Sequence, residues 1–72
     1  MPVAVPAPDA ALHNPDVEYV RSVIARTGIS QRACAERVGV SYSTLKNWMA
    51  GLNEWPYPAQ YTLECLAAFA GH

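Results

Sequence analysis

Seven polar residues between positions 31 and 47 have the types and spacing to bind the bases and phosphates of a nucleic acid. An asparagine amide pairs with adenine, and a lysine donates to guanine or to phosphate. A glutamine amide, an arginine or a hydroxyl at the start of a helix bonds to phosphate or to a base edge. The seven candidates are Gln31, Arg32, Ser41, Tyr42, Ser43, Lys46 and Asn47.

Two short helices are needed to position these side chains. Ser30 is placed to cap a helix from Gln31 to Val38, and Ser41 to cap a second one from Tyr42 to about Ala50. Gly39 supplies the left-handed backbone that ends the first of these helices. Because the turn between them is so short, we expect the helices to cross steeply. This pattern is typical of a helix-turn-helix.

The predicted helix from Tyr42 to Ala50 separates apolar from polar residues when they are spaced at about 100°. Its apolar face, which must dock on the helices before it, consists of Leu45, Trp48 and Met49. Its opposite face consists of Ser43, Asn47 and Ala50, with Lys46 on the flank. Short hydrogen-bonding side chains on an exposed face favour base recognition, and the small Ala50 allows close approach.

The charge distribution favours a polyanionic partner more than the net charge does. The chain carries −1 overall, but all five basic residues lie between positions 21 and 46, where Glu36 is the only acid, so this window carries +4. A local positive face still attracts phosphates. The alternative is an ordinary solvated mixture of charges. For Arg37, phosphate contact and an ion pair within the fold remain equally good interpretations.

The rest of the chain predicts one small domain of residues 14–72 behind a disordered arm of residues 1–13, which are rich in proline and alanine. Asn14 followed by Pro15 predicts the cap and first position of an opening helix. Val17, Val20 and Ile24 form its buried stripe. A last helix is expected from Ala59 to Ala70, which gives an all-α, compact four-helix domain.

The segment before the last helix and the helix itself carry more apolar side chains than a single small core hides. We therefore expect them to form an isologous homodimer interface. The aromatic residues of the segment, Trp55 and Tyr57, have a second interpretation as plugs of the monomer core. The expected interface residues are Trp55, Tyr57, Tyr61, Cys65 and Phe69.

Other functional classes find little support in the sequence. His13 and His72 lie in the expected tails, without an acid or nucleophile at a useful spacing, so we expect no enzyme and no catalytic residues. Cys34 and Cys65 lack metal-ligand spacing, so no metal and no cofactor is expected. No apolar run has transmembrane length, and no signal peptide begins the chain. The expected location is the cytoplasm of a bacterial host cell, at the nucleoid, with no membrane partner and no small-molecule effector.

Three motifs give the chain a family resemblance. Asn14-Pro15-Asp16, the run Gly28-Ile29-Ser30-Gln31-Arg32, and the block YPAQYTLECLA at 57–67 resemble the small anti-CRISPR-associated regulators of phages and mobile elements. The resemblance covers about Asn14 to Ala67. It implies a phage-repressor-like helix-turn-helix homodimer that binds inverted repeats at the promoter of its own operon and represses anti-CRISPR transcription.

The same resemblance implies DNA contacts by Gln31, Arg32, Tyr42, Ser43, Lys46 and Asn47. The chain departs from the family at two positions, because relatives carry basic residues where it has Ala33 and Ser43. Fewer cations imply a shallower salt dependence of DNA binding and a different operator.

The sequence therefore predicts a dimeric, sequence-specific repressor bound to double-stranded DNA. Two alternatives remain open. One is a Cro-like or antitoxin-type regulator of other genes. The other is a protein-interaction adaptor that reuses the fold and docks through Trp55, Tyr57 and the last helix.

Overall fold

Four α-helices and one short 3₁₀ helix make up the computed structural model, which describes residues 8–70. No residue in that range belongs to a β-strand. The 3₁₀ helix is Ala10–Leu12, and the α-helices are α1 (Val17–Arg26), α2 (Gln31–Val38), α3 (Tyr42–Ala50) and α4 (Tyr57–Ala70). The expectation of a compact, all-helical domain with four α-helices is confirmed.

The predicted caps of α2 and α3 are confirmed. Ser30 Oγ accepts the Ala33 amide at 3.1 Å, and Ser41 Oγ accepts the Thr44 amide at 3.1 Å. Each bond satisfies a donor that has no partner within its helix. Gly39 ends α2 at φ +89°, a conformation that glycine adopts without a Cβ clash. These local interactions fix where α2 and α3 begin.

The predicted start of α1 is wrong by two residues. Asp16, and not Asn14, is the cap: its carboxylate accepts the Glu18 amide at 3.0 Å. Asn14 Oδ1 accepts the Asp16 amide at 3.1 Å, so it forms a turn ahead of the helix. Two residues capable of capping, separated only by Pro15, compete here, and the backbone of Asn14 bonds to Gln60 and Trp55 instead.

The predicted start of α4 is also shifted. The helix begins at Tyr57 rather than Ala59, so Pro58 lies inside its first turn. Proline is tolerated there because the first amides of a helix have no partner within it. The Pro56 carbonyl accepts the amides of Ala59 and Gln60, each at 3.1 Å.

One small hydrophobic core joins all four α-helices. α1 packs against α3 and α4, and α2 packs against the same two helices. Cys34 lies in this core as a free thiol. The buried residues of the core are Val20, Val23, Ile24, Cys34, Ala35, Leu45, Trp48, Trp55, Ala59 and Leu63.

The segment from Asp9 to His13 is attached to α4, so the expectation of a disordered arm does not hold for these residues. The Asp9 amide donates to the Tyr57 hydroxyl at 2.8 Å. His13 Nε2 lies 2.7 Å from the Trp55 carbonyl and must be the donor, since a carbonyl only accepts. The remainder of the expected arm, residues 1–7, and His72 lie outside the described residues.

Gln60, in the first turn of α4, holds this N-terminal segment in place. Its side chain is 1% exposed, and its Oε1 accepts the Asn14 amide at 2.8 Å. Its Nε2 donates to the Leu12 carbonyl at 2.9 Å and to Glu64 at 3.2 Å. The amide is thus satisfied on both sides, as a buried polar group must be.

Tyr19 continues this network from α1. Its hydroxyl donates to Glu64 Oε2. Burial, followed by the hydrogen bond and the charge of Glu64, raises the pKa of Tyr19 above its ordinary value, with Arg26 acting in the opposite direction. The neutral tyrosine is therefore the form that the fold stabilises.

None of the helices in residues 8–70 has the length and apolar character required to cross a membrane.

Candidate nucleic-acid interface

The two faces of α3 differ as the sequence predicts. Leu45 and Trp48 are buried in the core, and Met49 is half-buried against it. Ser43, Lys46 and Ala50 are exposed, and Asn47 is half-buried. The outward face therefore offers two short polar side chains and one cation, with no acid in the helix.

Tyr42, at the first position of α3, joins α2 to α3 through its ring and its hydroxyl. The hydroxyl donates to Gln31 Oε1 at 3.3 Å. The guanidinium carbon of Arg32 lies over the ring, 4.3 Å from its centroid, and Lys46 Nζ lies 5.3 Å from the same centroid. Both distances suit cation–π attraction. Four of the seven selected residues thus form one contiguous group, which we call the Tyr42 cluster (Gln31, Arg32, Tyr42 and Lys46).

Ser41 lies at the predicted cap of α3. Its hydroxyl caps α3 and also lies 2.9 Å from the Thr44 hydroxyl. The Ser41 hydroxyl oxygen is therefore already used to cap the helix, which leaves this side chain less able to bind a ligand. Ser43, two residues further along the chain, is exposed.

The electrostatics of α2 and α3 favour an anionic ligand. Arg32, Arg37 and Lys46 are all exposed, and Glu36 is the only acid in the two helices. Arg37 lies in the last turn of α2, where a cation complements the helix dipole. Arg32 and Lys46 converge on Tyr42, so two of these three cations lie beside the first residue of α3.

A cleft of about 500 Å³ opens beside the Tyr42 cluster, between α1, the start of α2 and α3. Arg21 of α1 forms part of its wall, and the Arg21 Nε donates to the Met49 carbonyl at 2.7 Å. Sequence reasoning selected no residue of α1 for the site. Arg21 belongs to the basic stretch between positions 21 and 46, but nothing in the sequence pattern of α1 distinguished Arg21 from Arg26. The lining consists of Arg21, Ile24, Ala25, Ile29, Ser30, Gln31, Arg32, Tyr42 and Met49.

Of the five expected interface residues, Trp55 is wrongly assigned. Its side chain is 0% exposed in the monomer, and its indole N–H donates to the Asn14 carbonyl at 2.9 Å. The ring is part of the hydrophobic core, which is the second of the two interpretations that the sequence left open for this residue. Tyr57 is half-buried, and its ring meets that of His13 edge to face, with the centroids 6.4 Å apart.

The other three expected interface residues share one groove. Tyr61, Cys65 and Phe69 lie along α4, and Phe69 is 64% exposed. The groove has a volume of about 330 Å³ and is completed by Arg37, Thr62 and Leu66. It is a mainly apolar surface on the outside of the fold.

Within residues 8–70, no three histidine, cysteine or acidic side chains are grouped so that they could hold a metal ion.

The sequence matches no protein-family model. It also matches no curated protein.

Proposed function

We propose that the chain is a homodimeric, sequence-specific DNA-binding repressor in which α2, the turn at Gly39 and α3 act as a helix-turn-helix. In this proposal α3 is the recognition helix, inserted into the major groove, and α2 lies across it against the DNA backbone. The observation that carries the proposal is the Tyr42 cluster together with the outward face of α3.

The outward face of α3 has the chemistry that base recognition needs. Asn47 suits the bidentate pairing of an amide with adenine, and Lys46 suits donation to guanine or phosphate. Ser43 is exposed nearby and adds a hydroxyl that both donates and accepts. A face selected only for solubility would carry glutamates and lysines along its whole length, and this helix has no acid.

The Tyr42 cluster gives the backbone contacts. Arg32 comes from α2 and Lys46 from α3, yet both cations lie over one ring. Stacking reduces the freedom that these long side chains lose when they bind phosphate. Gln31, held by the Tyr42 hydroxyl, stands at the start of α2, where the helix dipole favours an anion.

The groove along α4 suits a second copy of the chain. An apolar surface with a phenylalanine 64% exposed is unusual on a small monomer, and pairing of two such grooves about a two-fold axis would cover it. A two-fold dimer presents two copies of α3 to successive major grooves about 34 Å apart. Its operator would then be an inverted repeat.

The resemblance to the anti-CRISPR-associated regulators extends the proposal to a target. It favours binding at the promoter of the protein's own operon, where the bound dimer excludes polymerase and represses anti-CRISPR genes. Regulation by protein concentration alone is sufficient for such a circuit. A Cro-like or antitoxin-type regulator has the same DNA-binding face and differs in the neighbouring genes.

The adaptor alternative loses support from the burial of Trp55. That residue was one of its expected docking side chains, together with Tyr57 and the last helix, and in the monomer it has no exposed surface.

Fluorescence anisotropy tests the DNA-binding proposal. The purified protein is titrated into DNA from just upstream of its own gene and into scrambled DNA of equal length, at two salt concentrations. We expect tight binding to the upstream fragment only, with affinity falling as salt rises. Absence of binding to either fragment at low salt, by a protein whose helical circular dichroism is intact, would contradict the proposal.

Light scattering tests the dimer. We expect the mass of two chains at tens of micromolar, and the mass of one chain for Phe69→Lys, because a second cation would be buried beside Arg37 in the paired grooves with no acid to pair with. Leu12→Lys is the matched control, since Leu12 is also exposed but lies outside the groove. A monomeric wild-type protein at these concentrations would contradict the homodimer.

A further inference from the structure

The cleft beside the Tyr42 cluster has two guanidinium groups in its wall and no acid. Arg21 comes from α1 and Arg32 from α2, and neither aspartate nor glutamate is among the residues that line it. Like charges that face one cavity repel each other unless an anion lies between them. The cleft is therefore complementary to a negatively charged group.

Arg21 is held in an orientation that leaves its end free. Its Nε donates to the Met49 carbonyl, in the last turn of α3, at 2.7 Å. That bond fixes the plane of the guanidinium and uses one of its five N–H groups. The two terminal nitrogens retain four donors, which is the arrangement that arginine uses to bind phosphate oxygens.

The floor of the cleft is apolar. It contains Ile24, Ala25, Ile29 and Met49, and Ile29 is 36% exposed although it is a large hydrophobic residue. A volume of about 500 Å³ is also far larger than an inorganic phosphate requires. The ligand that fits has an anionic group and a less polar body, as a deoxyribose-phosphate unit does.

We propose that this cleft binds one deoxyribose-phosphate unit of the DNA backbone, so that α1 joins the DNA interface through Arg21. The phosphate lies between Arg21 and Arg32, and the sugar packs against Ile29. The inference rests on the proposed DNA binding and adds a contact that neither α2 nor α3 provides. A free nucleotide offers the same chemistry, so the experiment separates the two sources.

Two arginines of the same helix provide a matched test. Arg21→Gln and Arg26→Gln remove one charge each from exposed positions of α1, but Arg26 lies outside the cleft. By anisotropy on the upstream fragment, we expect Arg21→Gln to weaken binding roughly tenfold and to reduce the slope of log affinity against log salt by about one. We expect Arg26→Gln to change the affinity less than twofold.

A second pair of variants controls for an effect of Arg21→Gln on folding, because this substitution removes the hydrogen bond from Arg21 to α3. Ile29→Glu places a carboxylate on the floor of the cleft at an exposed position, and Leu12→Glu makes the same charge change on the N-terminal segment. Melting temperatures are measured for all four variants. Weaker DNA binding by Ile29→Glu than by Leu12→Glu, between proteins of equal melting temperature, supports the inference.

The outcomes separate this inference from the proposed function. If the wild-type protein binds no DNA, both fail together. If it binds the upstream fragment and the two members of each pair bind equally well, only the cleft assignment is overturned. The same holds if millimolar thymidine monophosphate shifts the NMR signals of the Ile29 methyl groups while Arg21→Gln leaves DNA affinity unchanged, because the cleft would then serve a free nucleotide.

Discussion

The two glutamines of the chain have the same side chain in opposite surroundings. Gln60 is 1% exposed, and three hydrogen bonds within the fold use both ends of its amide. Gln31 is exposed, and its Oε1 accepts one bond of 3.3 Å from Tyr42. Residue type alone therefore does not mark a functional site. Burial and the number of bonds already formed decide whether a polar group serves the fold or a ligand.

The regions around the two glutamines repeat this difference. Around Gln60, the indole of Trp55 and the hydroxyl of Tyr19 also end on partners within the chain. Around Gln31, the cations Arg32 and Lys46 rest on an aromatic ring and remain exposed. Changes in the first region should alter stability, and changes in the second should alter DNA binding.

Trp55→Ala should produce the largest effect, because it removes the largest of the fully buried side chains. We expect a loss of about 3–5 kcal/mol, against a total of about 4–11 kcal/mol for 72 residues. Urea unfolding followed by circular dichroism measures the change. A variant as stable as wild type would mean that the ring lies at a subunit interface and that the monomer core does not need it.

The double variant Lys46→Ala, Asn47→Ala should weaken DNA binding and leave stability unchanged. We expect the free energy of unfolding to stay within about 0.5 kcal/mol of wild type, because Lys46 is exposed and the half-buried Asn47 lies outside the core. Anisotropy on the upstream fragment should detect an affinity loss of roughly a hundredfold, since each good base contact contributes about 1–3 kcal/mol. Full retention of binding would remove α3 from the interface.

The glutamine pair sharpens the comparison with one substitution at two sites. Gln60→Ala leaves the Asn14 amide and the Leu12 carbonyl without their partners, so we expect about 1–3 kcal/mol of destabilisation. Gln31→Ala should leave stability unchanged and weaken DNA binding about tenfold. Urea unfolding and anisotropy are measured on both proteins. Equal destabilisation by the two substitutions would erase the distinction between the regions.

Tyr19→Phe tests the polar network through pH and should have the smallest effect. The raised pKa of Tyr19 stabilises the fold fully below the ordinary tyrosine pKa of about 10, and this contribution is lost as pH rises through the higher pKa of the folded state. We expect the free energy of unfolding to fall more steeply in wild type than in Tyr19→Phe between about pH 9 and about pH 11, the range in which tyrosine titrates. Identical pH profiles would show that the Tyr19–Glu64 bond does not stabilise the fold.

The sequence was sufficient where structure depends on neighbouring residues. Ser30 and Ser41 cap α2 and α3 at the predicted positions, and Gly39 adopts the predicted left-handed backbone. The apolar face of α3 followed from its period, because the core must receive Leu45 and Trp48. These features need only residues within one or two helical turns of each other.

The sequence was insufficient where partners are far apart in the chain. Trp55 bonds to Asn14, and Gln60 bonds to Leu12, across more than forty residues. The sequence predicts residues 9–13 to be disordered, but in the structure they bond to distant residues and include a 3₁₀ helix. The wall contributed by Arg21 likewise depends on how α1 crosses α3, which no local pattern specifies.

Heteronuclear NMR with the upstream DNA fragment reports the DNA contact surface residue by residue. We expect amide signals of Gln31, Arg32 and the start of α3 to shift on titration, while those of Gln60 and its neighbours in α4 stay in place. Shifts confined to α4, or none at all with the fold intact, would contradict the assignment of α2 and α3 as the DNA-binding surface.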